Sequence, residues 1–304
     1  MTITWKVCLG LSPRSLISLL ALLISRSSFI IDGAVIKKRM GYDHRRHAGN
    51  GGDLWKHLVL AEVACHLFDA GLKVYVESHS GYPEYQLGPD GEWEGGVGRI
   101  WPRREALARY SYFQILGDLN PGGLERYLGS ASIVLDLARR RGVNLRAEIW
   151  DSSIAVERAW RSLESGQRSE DIHFHLGDGF SGVRKLTGEL DEPALLFIDS
   201  PYIAEGDASL VEDLISRSVA SGWVALSWQM LGLEKSPRPA CDFREFALSF
   251  EDAGLVCGPW KGATMILAWD EKAFLGREVD DLIERLERIE EDFLKIAAPI
   301  SESF

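Results

Sequence analysis

The sequence predicts an α/β fold in which a mostly parallel sheet carries helices on both faces. Short apolar strands alternate with amphipathic helices along most of the chain, and this alternation is typical of a parallel sheet covered on both sides. Hydrophobic residues make up 46% of the 304 residues and charged residues 26%, which excludes a disordered, collagen-like or coiled-coil chain. The length is sufficient for one large core and a small subdomain.

The predicted elements follow one another in a regular order. Between residues 53 and 70 apolar residues recur at helical spacing and Gly71 ends the run, which predicts a helix. The segment KVYVE at 73–77 is β-branched and aromatic and predicts a strand. Residues 86–129 are rich in Gly, Pro, Trp and Arg, which indicates an irregular insertion with short helices. The remaining predicted helices are 130–141, 153–163, 209–220 and 245–253, and the remaining strands are 145–149, 171–176, 194–198, 223–228, 255–260 and 264–269.

The two ends of the chain differ from this pattern. Residues 16–31 are apolar but Arg26 interrupts them, and the run is shorter than the roughly 20 apolar residues of a membrane span. A signal-peptide core, a short anchor and an over-extended gene start all remain open for this segment, and we expect no stable membrane association. At the other end, residues 271–304 contain ten acidic and five basic residues and predict an acidic helix with one apolar stripe.

Cysteine spacing and charge limit the class of protein. The four cysteines share no short spacing, which excludes a disulfide scaffold and a CxxC zinc site and predicts a reduced, cytoplasmic protein. The net charge of −11 argues against a wholly basic nucleic-acid binder. Basic residues nevertheless cluster at 37–46, 99–109 and 139–146, and such local patches can hold phosphates.

Four consecutive predicted strands end in, or are followed by, an acidic residue: Glu77, Glu148, Asp178 and Asp199. In open α/β sheets ligands bind beyond the carboxyl ends of the strands. A carboxylate after the second strand can accept hydrogen bonds from ribose hydroxyls, and Asp178 can take an adenine amine while Gly179 lets the ring approach the backbone. These positions predict an adenosine-containing cofactor. The first turn lacks GxGxxG and P-loop patterns, which favours S-adenosylmethionine over a dinucleotide or triphosphate.

The tetrapeptide Asp199-Ser200-Pro201-Tyr202 fits the methylation of an exocyclic amine. The lone pair of such an amine is delocalised into the base, so the nitrogen is a poor nucleophile. A carboxylate and a backbone carbonyl that accept its two N–H bonds would stabilise the positive charge that develops on it. The aromatic ring of Tyr202 can stack on an extruded base.

The opening YDHRRHAGN at residues 42–50, with Asp53 and Lys56-His57 after it, resembles the RlmJ family of 23S ribosomal RNA adenine-N6 methyltransferases. The resemblance covers about residues 40–270 in order. Because family members begin a few residues before this tyrosine, we expect Met40 to be the initiator and residues 1–39 to be an over-extended gene start or an N-terminal extension. The other matching segments are Glu77–Gly81, Tyr85–Leu87, Gly91-Glu92, Gly98–Trp101, Gly129-Ser130, Asp178–Phe180, Ile198–Tyr202 and Gly262–Met265.

The resemblance implies a Rossmann-like S-adenosylmethionine-dependent methyltransferase. Its domain would span 40–270, with a small helical subdomain inserted at about 88–129 and an acidic C-terminal helix at 271–304. Asp199 would hold the target amine as the catalytic carboxylate, Tyr202 would stack on the base, and the basic front end would meet 23S rRNA phosphates. The residues that would bind the cofactor are His57, His79, Ser130, Glu148 (ribose), Asp178 and Gly179 (adenine), and Asp199.

Three departures from the family pattern keep alternatives open. ESHSGYP at 77–83 replaces the family's DTHAGAG, DSPY at 199–202 replaces DPPY, and IWD at 149–151 replaces LHP. A catalytically weakened or inactive RNA-binding or assembly factor on the same fold is one alternative. An adenine-N6 methyltransferase acting on DNA, or a methyltransferase acting on a protein amide, is another.

Two histidines on one strand raise the question of a metal site. His173 and His175 lie two residues apart and share a face, but no cysteine accompanies them and the resembled family has no metal there. We therefore expect no metal. A monomer is favoured.

Overall fold

The computed structural model describes residues 44–164, 171–202, 204, 206–232, 236–270 and 279–297. Its strands are β1 (Val74–Glu77), β2 (Glu84–Gln86), β3 (Arg126–Leu128), β4 (Arg146–Asp151), β5 (Asp171–Leu176), β6 (Leu195–Ile198), β7 (Val224–Met230), β8 (Asp242–Ser249) and β9 (Gly262–Trp269). Its longer helices are α1 (Gly51–Asp69), α2 (Ser111–Leu119), α3 (Ser130–Arg140), α4 (Ile154–Glu164), α5 (Gly179–Leu186), α6 (Asp207–Ala220) and α7 (Val279–Ala297).

Seven strands form one sheet in the order β5-β4-β1-β6-β7-β9-β8. Strand β1 pairs in parallel with β4 on one side and with β6 on the other, and the parallel pairing continues outward to β5 and β7. Strand β9 runs antiparallel to both β7 and β8. The predicted mostly parallel α/β sheet is confirmed. Because the chain first builds outward from β1 and then resumes at β6, a topological switch point lies between these two strands, where α/β proteins bind ligands.

Helix α1 is buried along nearly its whole length. It packs against α2 and α3 on one side and against β9 and α7 on others. Trp55 Nε1 donates a hydrogen bond to the Phe246 carbonyl at 3.3 Å, which ties the helix to β8. Asn50 caps the helix by accepting the Asp53 N–H at 2.9 Å, which satisfies one of the unpaired donors of the first turn. The cap fixes the turn that carries the functional side chains described below.

The prediction for residues 245–253 is wrong, because the first part of this segment completes strand β8 and the rest forms a turn. Phe246 and Leu248 are buried while Ala247 between them is exposed, which is the period-two pattern of a strand with one covered face. Residues 255–260, predicted as a strand, form a loop and a turn in which Gly258 has φ +56°. Among the described strands, β8 pairs with β9 only.

The segment between β2 and β3 contains short helices at Glu92–Glu94, Val97–Ile100 and Trp101–Leu107 and then α2. Strand β2 pairs antiparallel with β3 across the two ends of this segment. Helix α7 buries the predicted apolar stripe, including Leu282, Leu286 and Phe293. The apolar run at 16–31 lies outside the described residues, and none of the described helices is long and apolar enough to cross a membrane.

Candidate active site at the switch point

A lysine joins two carboxylates at the carboxyl edge of the sheet. Asp199 follows β6 directly, and Lys56 from α1 donates from Nζ to Asp199 Oδ2 at 2.5 Å. The same ammonium lies 2.8 Å from Asp53 Oδ1 and 5.6 Å from the centroid of the Trp228 ring. The side chains of Lys56 and Asp199 remain 12% and 18% exposed, so this group is reachable from solvent.

Electrostatic interactions within this group shift the pKa values of Lys56 and Asp53. Burial opposes a charge on Lys56, but Asp199 and Asp53 outweigh it and raise the pKa of the lysine well above its usual value. Burial also opposes a charge on Asp53, yet Lys56 and the Gly49 N–H, which donates to Asp53 Oδ2 at 2.9 Å, lower the pKa of Asp53. Lys56 is therefore a fixed cation. It holds one oxygen of Asp199, and the described residues place no donor on the other.

Glu77, the last residue of β1, is a fully buried carboxyl group with two hydroxyl donors. The Tyr75 hydroxyl donates to Oε2 at 2.7 Å and the Ser130 hydroxyl donates to Oε1. Burial outweighs these hydrogen bonds and raises the pKa of Glu77 to about 8. Ser130, predicted beside the cofactor, begins α3 and is held in place by Glu77.

Residues 78–83, where the chain departs most from the resembled family, form a hydrogen-bonded turn beside the switch point. The Gly81 N–H donates to Asp151 Oδ2 at 3.1 Å, and the Gly81 carbonyl accepts from Trp160 Nε1 at 3.0 Å. The carbonyl of Tyr82 lies 2.1 Å from where a Cβ on Gly129 would stand, so only glycine fits there. The altered turn is thus supported by polar and packing partners of its own.

Asp178 and Gly179 form the start of α5 beside the turn after β1. The Asp178 carboxylate caps the helix by accepting the N–H groups of Phe180 at 3.3 Å and Ser181 at 3.2 Å. The Ser181 hydroxyl bond is the main cause of the lowered pKa of Asp178. A Cβ on Gly179 would lie 1.8 Å from the Ser78 carbonyl, so only glycine fits beside that turn. Asp178 is exposed and remains accessible for a ligand.

His79 faces an acidic edge. Its Nδ1 lies 2.8 Å from the Ser78 hydroxyl, and its ring packs edge-on against Phe180 at 4.9 Å. Burial lowers the pKa of His79 although Asp199, Asp151, Asp178 and Asp207 all favour its protonated form. The imidazole is therefore neutral at pH 7, surrounded by carboxylates.

Glu148 does not end its strand, contrary to expectation. Strand β4 continues to Asp151, and Glu148 pairs with Val76 inside the sheet. Glu148 is 3% exposed, and its carboxylate is bound by Arg146 Nε at 2.7 Å and by His175 Nε2 at 2.6 Å. Asp151 occupies the strand end instead and accepts the Ser153 N–H at 2.7 Å. From sequence, Asp151 stood out only as a departure from the family pattern, because β4 was predicted to end two residues earlier.

His57, predicted to contact the cofactor, points toward the inserted segment. Its Nδ1 lies 2.9 Å from the Tyr127 hydroxyl, and the two rings stack at 5.5 Å. The Tyr112 hydroxyl donates to the Tyr127 hydroxyl at 3.0 Å and extends the chain of polar groups. Burial lowers the pKa of His57 to about 3, so the ring is neutral. In this arrangement His57 connects α1 to the insertion.

Tyr202 lies at the site mouth with strained backbone. Its φ of +50° is in the left-handed region that non-glycine residues seldom adopt. The Tyr202 hydroxyl donates to the Trp228 carbonyl at 3.0 Å, and the two rings are tilted at 6.5 Å. The strain and the anchored hydroxyl fix the ring beside Asp199.

The predicted phosphate-binding arginines mostly have partners within the chain. Arg109 pairs with Asp292 and Arg103 donates to the Ile296 carbonyl, so both bind α7. In the third cluster Arg140 contacts Asp118 and Asp136. Arg46 is exposed, whereas the rest of the front cluster, residues 37–45, lies outside the residues whose side chains are described.

The two strand histidines each contact an acidic side chain. His173 Nε2 lies 2.7 Å from Asp171 Oδ1, and His175 stacks on Trp150 at 4.2 Å while it contacts Glu148. Within the described ranges, no group of three or more potential metal-ligating side chains comes together.

Sequence reasoning missed Lys56 and Asp53 as site residues. Both belong to the opening motif, but their meeting with Asp199 depends on a contact between residues 143 positions apart. A helix-borne lysine gives no local sign of such a partner. From sequence, Asp53 could be recognised only as a residue of the first helical turn.

The sheet order and the acidic switch point without a phosphate-binding loop define a Rossmann-like α/β protein of the methyltransferase class. A model of the family described as "Ribosomal RNA large subunit methyltransferase D, RlmJ" matches residues 71–227, more than half of the chain. The chain belongs to this family, as the resemblance at residues 40–270 predicted.

Related proteins agree with this assignment. Ribosomal RNA large subunit methyltransferase J from Haemophilus influenzae is 28% identical over 214 residues, which cover 66% of this chain and 73% of that protein. The protein of the same name from Escherichia coli is 27% identical over 198 residues, 62% of this chain and 69% of that one. A crystal structure of a Legionella pneumophila protein, 19% identical, aligns with a TM-score of 0.65 over 82% of this chain and 94% of that chain, which shows a shared fold.

Proposed function

We propose that this chain transfers a methyl group from S-adenosylmethionine to the exocyclic N6 amine of an adenine in 23S ribosomal RNA, in the cytoplasm. The observation that carries the proposal is the Lys56–Asp199 pair at the switch point, 2.5 Å apart and open to solvent. Membership in a family of ribosomal RNA methyltransferases supports the reaction class and the RNA substrate.

The chemistry of the donor set fits S-adenosylmethionine. This cofactor carries a sulfonium and an ammonium and no phosphate, and when bound it supplies an electrophilic methyl group. The edge offers carboxylates in Asp151, Asp178, Asp199 and Asp207, all close enough to act on His79, and such an edge suits a cation. Ser130 and His79 remain our predicted cofactor contacts. His57 and Gly179 also remain predicted contacts, although the described geometry gives each of them another partner.

Two carboxylates are candidates for the ribose. Glu148 is our original prediction, but Arg146 and His175 already bind its oxygens and it is buried in the sheet. Asp151 stands at the strand end, where ligands of open sheets bind, and each of its oxygens keeps acceptor capacity beyond its one backbone partner. The geometry favours Asp151.

Asp199 acts on the target amine in this proposal. Its free oxygen accepts one N–H bond and the Ser200 carbonyl accepts the other, which draws the lone pair out of the ring and stabilises the developing positive charge. The amine nitrogen would form a bond to the methyl carbon while the bond from that carbon to the sulfonium sulfur breaks. S-adenosylhomocysteine would be the leaving group, and the surplus N–H proton would pass to solvent. Lys56 holds the Asp199 carboxylate in a fixed position, and Tyr202 stacks on the base.

Two alternatives were left open by the sequence. The inactive-factor alternative rested on Tyr82 and Pro83 in the altered turn at 78–83 and on Ser200. The hydrogen bonds of Gly81 and the close fit at Gly129 support a specifically folded turn. The DNA alternative is disfavoured by the family, whose named members act on ribosomal RNA.

The test is methyl transfer from radiolabelled S-adenosylmethionine to unmodified 23S rRNA by Asp199→Asn. We expect at least about a 100-fold loss of rate, because the amide cannot replace the charge that stabilises the transition state. Asp213→Asn on the outer face of α6, paired with Arg184 and Arg217, is the matched control and should retain wild-type activity. Undiminished transfer by a folded Asp199→Asn protein would refute the assigned role.

A further inference from the structure

We propose that Trp260 and Leu231 form a stacking surface for a nucleotide that flanks the target adenine in the RNA strand. This inference rests on the proposed function, because it extends the same site outward from Asp199. Trp260 and Leu231 lie outside the proposed catalytic and cofactor-binding set.

The topology places both residues at the edge that carries Asp199. Because β9 runs antiparallel to β7, the start of β9 lies at the carboxyl end of β7. Trp260 stands two residues before β9, and Leu231 directly follows β7 and donates its N–H to the Gly262 carbonyl at 3.0 Å. A Cβ on Gly262 would lie 2.8 Å from Leu231 Cδ2, so the leucine packs on this turn.

Three aromatic rings form a row that leads away from the catalytic pair. Tyr202 and Trp228 are 6.5 Å apart between ring centroids, and Trp228 and Trp260 are 6.0 Å apart. Trp228 is buried beneath the Lys56 ammonium, whereas Trp260 is only partly buried and is the outer member of the row. A base that enters beside Tyr202 would leave its strand neighbours near Trp260.

The chemistry of the outer surface suits single-stranded RNA. Leu231 is 41% exposed, and Lys261 beside Trp260 is exposed. Aromatic and apolar groups next to a cation are the combination on which bases stack while phosphates are neutralised. An enzyme that reacts with a base must take it out of its stack, so the neighbouring nucleotides lose a stacking partner and need another at the mouth of the site. The substrate itself is therefore the occupant that covers this surface.

The experiment measures RNA binding and cofactor binding separately, in the full chain. The RNA probe is a fluorescently labelled oligouridylate with a single adenine, titrated at fixed salt, and S-adenosylhomocysteine is titrated by calorimetry. We expect Trp260→Ala to bind the RNA about tenfold more weakly, Trp260→Phe to keep most of the affinity, and all variants to bind S-adenosylhomocysteine like wild type. Trp101→Ala is the matched control, since Trp101 is also half-buried but packs against Arg104 in the insertion, with 4.3 Å between guanidinium carbon and ring centroid.

Every outcome of this experiment either supports or overturns the proposed stacking surface. A folded Trp260→Ala protein with wild-type RNA affinity overturns the inference. If that variant does not fold, Leu231→Glu takes its place, since a carboxylate on this exposed position repels phosphate, and unchanged RNA binding then overturns it. A dimer in sedimentation that Trp260→Ala dissociates would assign the surface to a second copy and also overturn it. Failure of the proposed function is distinguishable, because wild type would then transfer no methyl group to rRNA whatever Trp260 does to binding.

Discussion

At the scale of single residues, the site is dominated by one lysine with two carboxylate partners. Lys56 reaches Asp199 and Asp53 from the first turns of α1. A salt bridge at such partial burial contributes orientation as much as energy, because desolvation offsets much of the Coulomb attraction. Its consequence is a carboxylate with one oxygen fixed and one oxygen available. The residue types at 53, 56 and 199 thus determine the direction from which a base can approach.

Glu77 makes stability depend on pH. Its folded pKa of about 8 lies above the ordinary 4.5, so between these values the folded protein binds the proton more tightly than the unfolded chain. The contribution of this bound proton to the free energy of unfolding is complete below about pH 4.5 and is lost as the pH rises through about 8. Between about pH 5 and about pH 9, the free energy of unfolding of wild type should fall on the order of a few kcal/mol more than that of Glu77→Gln. Urea denaturation at the two pH values measures this difference.

The control for this prediction is Glu94→Gln, an exposed carboxylate in the insertion that should keep the wild-type pH dependence. Equal pH dependence of Glu77→Gln and wild type would show that Glu77 is ionised throughout this range. Tyr75 and Ser130 would then be donors strong enough to overcome its burial.

At the scale of elements, helix α7 is attached by a buried charge. Glu62 on α1 has no exposed side-chain surface, accepts the Ser111 N–H at 2.8 Å, and pairs with Arg285 of α7. Apolar residues of α7 pack on the core, with Phe293 6.1 Å from Trp55 between ring centroids. The helix therefore completes the surroundings of α1 and, through it, the position of Lys56.

Removing the arginine tests this attachment. Arg285→Met should lower the free energy of unfolding by about 2–4 kcal/mol, because Glu62 is left buried with a charge and one backbone donor. Arg288→Met, whose partner Glu284 is exposed one turn away on the same helix, should change it by less than about 0.5 kcal/mol. The measurement is urea denaturation of the full chain, and equal effects of the two substitutions would contradict the buried role.

Several elements were predictable from sequence because their local and tertiary signals agree. The helix predicted at 53–70 is α1, and the strand at 73–77 is β1, since apolar periodicity and end signals coincide there. Residues 245–253 were mistaken for a helix because their apolar residues also fit helical spacing, and the competing strand depends on pairing with β9. For the same reason the end of β4 was predicted two residues too early, and Asp151 was not recognised as a strand-end residue. The last residues of β4 belong to the sheet because β5 pairs with them.

At the scale of the whole molecule, cofactor binding should stabilise the fold. S-adenosylhomocysteine at about 100 times its Kd should raise the free energy of unfolding by about 2.7 kcal/mol, because it binds the folded state only. Calorimetric titration gives the Kd, and urea denaturation gives the stabilisation. Asp151→Asn should weaken binding about tenfold or more through the loss of a charged acceptor.

Glu148→Gln separates the two ribose candidates. A greater loss of affinity in Glu148→Gln than in Asp151→Asn would restore the original prediction, and a loss confined to Asp151→Asn would support the strand-end residue. No binding by folded wild type would favour the inactive factor, and the turn at 78–83 would then be a structural replacement for a cofactor loop.

The contacts of α1 with distant parts of the chain also govern the order in which the protein folds. Trp55 bonds to a residue 191 positions later, and Glu62 bonds to one 223 positions later. Closing such long loops is slow, and a chain emerging from a ribosome at roughly 5–20 residues per second exposes the apolar sides of α1 long before β8 and α7 exist. The nascent chain therefore completes most of its synthesis before the sides of α1 that face β8 and α7 are covered, whereas α2 and α3, which are made earlier, can already pack against the helix.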